Sequence, residues 1–187
     1  MRFLLLVLFA FPMLTSTSSA QDWSNLESRY QNVANQLSGL LSSLASSTSS
    51  AQQALDDLTT RKNAAALEHP ECFAAIQYAQ EAVANLETGI SEAQDGSGFS
   101  PPGQGFQSLY DEAYEYESTT LCDLFSAISG GGNQTVYDYL SDALTSFEDT
   151  IALLQEELDA KMEIWGPAST AIINEATSAV EALESGC

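Results

Sequence analysis

From Trp23 the apolar residues fall at Leu26, Tyr30, Val33, Leu37, Leu40 and Leu44, in alternating steps of three and four. Between these seven positions only Ala34 and Leu41 are also apolar. A seam of this period marks one face of a helix that is buried against partners. Ser24 and Glu27 have the spacing of a capping box at its start. The frame continues through Ser47, Ala51, Ala54 and Leu58 without slipping. Residues 42–50 are serine-rich, and serine hydroxyls compete for backbone partners, so this stretch is weak helix material. The unbroken frame predicts one helix over about 22–67, with a break at the serines as the alternative.

His69-Pro70-Glu71 ends this helix and starts the next, where proline and an acidic residue suit a first turn. Phe73, Ile76, Ala79, Val83, Leu86 and Ile90 carry a second seam to about residue 94. Asp95 to Gly105 contains four glycines and two prolines and reads as a loop. A third helix follows over about 106–129, with Phe106, Tyr110, Ala113, Leu121, Leu124 and Ile128 inward. Its seam is imperfect, because Glu117 falls on it. After Gly130-Gly131-Gly132, Thr135 and Asp138 form a second capping box. Tyr137, Leu140, Leu144, Phe147, Ile151, Leu154 and Leu158 then repeat the spacing without a fault. This helix continues through Met162 and Trp165 to Pro167, which either kinks it or starts another. Ile172, Ala176, Val180 and Leu183 extend the apolar face.

The chain therefore reads as all-α, an elongated antiparallel helical bundle. The first and last helical regions could each reach roughly 70 Å at 1.5 Å per residue, and the middle two about half that. Short connections favour antiparallel neighbours. The simplest packing is a four-helix section with a coiled-coil-like stalk that pairs residues 22–45 with 167–185. Folding both long helices back into a compact six-segment bundle is the alternative. Leu37, Leu40, Val83, Leu124, Leu144, Phe147, Ile151 and Leu154 are the expected core.

Composition adds a compartment and a sign of charge. Arg2, the apolar run Phe3 to Leu14 and the small residues Ser18 and Ala20 form a secretory leader over residues 1–20. The run is too short to span a bilayer. Residues 21–187 are then a single acidic helical-bundle domain. Removing Arg2 leaves four basic residues against 26 acidic ones, a net charge of −22. Such a surface repels nucleic acid and anionic membrane. Hydrophobic residues make up 44% of the chain and charged ones 17%, enough apolar material for a core.

Cys72, Cys122 and Cys187 remain after the leader, and an oxidising compartment pairs two of them. In an antiparallel layout Cys72 and Cys122 lie at the same end, which predicts a Cys72–Cys122 disulfide. Cys187, at the far tip of the stalk, then stays free or links two copies into a homodimer. The sequon Asn133-Gln134-Thr135 marks Asn133 as a glycosylation site in an exposed turn.

Catalytic chemistry has little to stand on. His69 is the only histidine, beside a proline at a helix junction, and no Gly-x-Ser-x-Gly motif is present. One histidine cannot supply the two Glu-x-x-His pairs of a di-metal bundle, and three scattered cysteines do not make a zinc site. Asp95-Gly96-Ser97-Gly98 has its glycine and closing acid at the wrong offsets for a calcium loop. The clusters at Asp111–Glu117 and Glu156–Glu163 read as solvated helix faces. Tyr110, Tyr114, Tyr116, Tyr137 and Tyr139 read first as core edge, and second as a stacking surface for a sugar or a partner. No catalytic, metal or cofactor residue is assigned, and no motif matches a named family closely enough to carry residue roles across. The expected function is that of a secreted, non-enzymatic binding or structural protein. The alternative is a carrier that holds a small apolar, lipid-like ligand between its helices. The partner is accordingly either a protein or such a ligand.

Overall fold

A computed structural model of the protein describes residues 18–99 and 102–187. The predicted leader therefore lies outside the described residues through position 17. The helices are α1 (Ser18–Ser46), α2 (Ser49–Glu68), α3 (Phe73–Asp95), α4 (Phe106–Glu115), a π-helical segment (Tyr116–Leu121), α5 (Cys122–Gly130) and α6 (Gln134–Glu184). No strand occurs among the described residues. The all-α helical bundle expected from the seams is the observed fold. All eight residues predicted as core are buried.

The elements join into three long rods. α1 and α2 make the first. α3, α4, the π segment and α5 make the second, running back. α6, 51 residues long and so about 75 Å, makes the third. α6 packs along both other rods, α1 pairs with α4 and α5, and α2 pairs with α3. On either side of a central waist each cross-section holds three helices. Residues 22–45 run beside the first half of α6, rather than beside 167–185 as a stalk would have them. Trp23 meets Tyr137, with ring centroids 5.6 Å apart. Arg29 reaches Ser141, Thr145 and Glu148. Further along, Trp165 meets Ser47, and Arg61 meets Glu184.

The loop after α3 sets this layout. An antiparallel return was expected there, but α4 continues in the direction of α3. Gly96 caps α3 with φ +90°. A Cβ at Gly96 would collide with the Gly103 carbonyl oxygen, and one at Gly105 with the Gln94 carbonyl oxygen. Only glycine lets the loop close this tightly, so α4 restarts just beyond the end of α3. Asp95 helps the turn by accepting from the backbone N–H and the hydroxyl of Ser97, at 2.8 and 2.6 Å.

The first rod breaks at Ser47–Thr48, so the single helix expected over 22–67 is two. The break is stabilised from outside: the Trp165 indole N–H donates to the Ser47 carbonyl at 3.1 Å. Gln94 donates to the buried Thr48 hydroxyl at 3.3 Å. Lys161 is also buried at this waist, 3.2 Å from Glu157 and with its ammonium 4.7 Å from the Phe99 ring centroid. Pro167, in contrast, leaves α6 continuous. Its residue is exposed, and so is Glu163, whose carbonyl loses its helical donor on the solvent side.

The imperfect seam of the second rod has a structural cause. Its buried positions step eight residues from Ala113 to Leu121 where the regular frame takes seven. The π segment accommodates the extra residue and returns Leu121, Leu124 and Ile128 to the core. Two predicted caps also shift. Ser24 lies inside α1, and α6 is capped by Asn133, whose Oδ1 accepts from the Val136 N–H at 3.2 Å.

Candidate binding groove between α1 and α5

Beyond the π segment, α5 and α1 border an open groove of about 710 Å³. Its apolar floor is Tyr30 from α1 with Phe125 and Ile128 from α5. The seam of α1 buries Leu26, Val33 and Leu37, which sets Glu27, Gln31 and Asn35, each four residues apart, on the flank facing the groove. Ser24, Ser28, Asn32 and Ser129 also line the rim. The Tyr30 and Phe125 rings lie 5.5 Å apart at 38°, and Phe125 remains 50% exposed.

The groove is almost uncharged. Among the described residues, Glu27 is the one carboxylate that lines it, and no basic side chain does. Arg29 points instead at α6, where it makes a two-pronged contact with Glu148 at 3.1 and 2.6 Å. That hydrogen bond keeps the guanidinium charged, raising its pKa. Burial first, and the neighbouring Cys122 second, push the Tyr30 phenol above its ordinary value. At neutral pH Tyr30 therefore keeps its proton and can both donate and accept.

The cysteines are arranged differently from the expected Cys72–Cys122 pair. Cys72 is bonded to Cys187, with Cα atoms 5.5 Å apart. Cys122 is the free cysteine and is exposed. The reason is the direction of the second rod. Because α4 and α5 continue away from α3, Cys122 ends near Tyr30, on the order of 55 Å along the bundle from the α2–α3 turn. α6 runs parallel to the first rod and delivers Cys187 to that turn. The one disulfide is thus within the chain, and Cys187 is not available for the homodimer link expected of it. The Glu71 carboxylate lies within 4.8 Å of both sulfurs. With the sulfurs joined to each other, this group offers no thiolate ligand. His69 sits at the same end, 3.9 Å from Glu71 and far from the groove.

Asn133 is exposed where α6 begins. The five tyrosines do not form one surface. Tyr110 stacks on Tyr114 at 6.2 Å, Tyr116 packs on Phe147 at 5.8 Å, Tyr137 on Trp23, and Tyr139 is exposed. The groove itself was not foreseen. Tyr30 reads as a core position in the sequence, and Phe125 lies off the seam. The visible signal was an aromatic about two turns after the seam fault at Glu117.

Fold and site together define an elongated all-α bundle with an open, nearly neutral groove on a strongly acidic surface. Compared with known family models, with curated proteins and with solved structures, the chain gives no match. No described helix is long and apolar enough to cross a membrane.

Proposed function

We propose that the protein is a secreted, non-enzymatic helical rod that acts by binding at its surface. One observation carries this reading. The three seams interlock along the whole rod as one continuous buried cluster, from Leu26 to Leu183, while the groove of about 710 Å³ between α1 and α5 opens outward. A carrier of an apolar ligand would instead hold it among those seam residues. Secretion is supported by the leader pattern and by a disulfide of a kind that persists in oxidising compartments. Glycosylation at Asn133 fits its exposure. Its Oδ1 serves the helix cap, which leaves the amide nitrogen for the sugar.

Native mass spectrometry beside small-angle scattering tests the reading. The expected result is a rod about 75 Å long carrying no co-purified lipid. A compact particle, or one lipid per chain, overturns it in favour of the carrier.

A further inference from the structure

The geometry points to the α1–α5 groove as a binding site for a neutral oligosaccharide. This inference rests on the binding role proposed above and names the ligand class.

Three features select that class. The first is the floor. A pyranose ring has one face made of C–H groups, and such a face packs on an aromatic ring. Phe125 offers half of its surface, beside Tyr30, on an otherwise polar wall. Among the other exposed aromatics, Phe73 lies at the disulfide end of the rod, and Tyr114 has its ring stacked on Tyr110.

The second is the rim. Gln31, Asn32 and Asn35 present amides, and Ser129 a hydroxyl, none of which is used in a hydrogen bond among the described residues. Each amide donates and accepts at once, as does the protonated Tyr30 phenol. Vicinal sugar hydroxyls, which also donate and accept, are matched by groups of that dual capacity. A peptide helix would need an apolar stripe several turns long, and the floor supplies three residues.

The third is charge. With no cation on the groove and 26 acidic residues in the chain, anionic glycans, phosphates and fatty-acid carboxylates are repelled. A neutral glycan loses nothing to that field. The π segment just before α5 sets the site geometrically. Its extra residue rotates α5 relative to α4, which turns Phe125 outward next to Tyr30 while Leu124 and Ile128 stay in the core.

The test is an amide NMR titration of the protein recovered from a secreting host. Chitohexaose, cellohexaose, laminarihexaose and maltohexaose are the probes, each to millimolar concentration. At least one is expected to shift Tyr30, Asn32, Asn35 and Phe125 as a connected patch. Phe125→Ala should weaken binding about tenfold, the scale of one aromatic contact. Asn35→Ala should weaken it too, and Phe73→Ala should leave it unchanged. Phe125 and Asn35 are exposed, and circular dichroism checks that both variants keep the fold. The inference is overturned if no probe shifts the patch, if the shifts lie elsewhere, or if Phe125→Ala binds like the parent. Failure with all four sugars on a lipid-free rod removes the ligand class alone. Lipid in the native mass spectrum removes the binding-rod reading itself.

Discussion

In the half of the rod built from α2, α3 and the second part of α6, the buried seam is lined by alanine. Ala51, Ala65, Ala79, Ala82, Ala93, Ala176 and Ala179 are all buried there. In the half built from α1, α4, α5 and the first part of α6, leucine and aromatic residues take those places, and among the described residues Ala113 is the one buried alanine. Small seam residues let helix axes approach, and large ones hold them apart. At Gly89 a Cβ would come within 3.0 Å of Ile172 Cδ1, so that pair of helices has no room to spare. The alanine half is also closed at its end by Cys72–Cys187 and by Arg61, which bonds Glu184 at 2.8 and 2.7 Å. The aromatic half has no covalent closure, carries the π segment, and opens into the groove. The groove between α1 and α5 lies in the half whose seam carries the larger side chains.

The largest expected effect comes from opening the closed end. Cys187→Ser releases a link between residues 115 apart and should lower stability by about 4–5 kcal/mol in the chain-entropy account. Hydrogen exchange should quicken in α2, α3 and the last turns of α6, and much less in α1 and α5. Equal quickening everywhere would mean that the halves are one cooperative unit. Next is Phe147→Ala, which removes a buried ring from the aromatic half and should cost roughly 3–5 kcal/mol in urea denaturation. A parent-like midpoint would show that this half is not held by its large side chains.

Ala79→Leu probes the close packing directly. Ala79 is fully buried, and overfilling its site should cost about 1–3 kcal/mol. Neutral or raised stability would show slack where none is expected. The smallest effect concerns Glu184. Its hydrogen bond from Arg61 holds its carboxyl below the ordinary value of 4.5. Stabilisation from a depressed carboxyl is present above that ordinary value and is lost as pH falls through the folded-state value. Glu184→Gln should therefore melt slightly below the parent at neutral pH, with the gap closing in acid. A gap that persists in acid would assign the loss to something other than this ion pair.

The seams determined the helices by themselves, because a 3–4 spacing has one low-energy solution: an amphipathic helix buried on that face. Leu37, Val83, Leu144 and Phe147 could be placed in the core from spacing alone. The fault at Glu117 was legible as a fault, although its resolution by a π turn was not. What spacing cannot carry is direction after a loop. Whether the chain reverses or continues past Asp95 depends on Gly96 and Gly105 packing backbone on backbone, a contact between residues that no periodic pattern links. That one choice moved Cys122 away from Cys72 and brought Cys187 to it. It also put residues 22–45 beside the first half of α6 in place of the expected stalk, and set α5 against α1. The break at Ser47 was likewise decided by a distant residue, Trp165, whose indole meets the freed carbonyl. Local periodicity fixes which face of a helix is buried. Tertiary contacts decide what is buried against it, because helix-on-helix packing energies are similar for several layouts and a few turn contacts select among them.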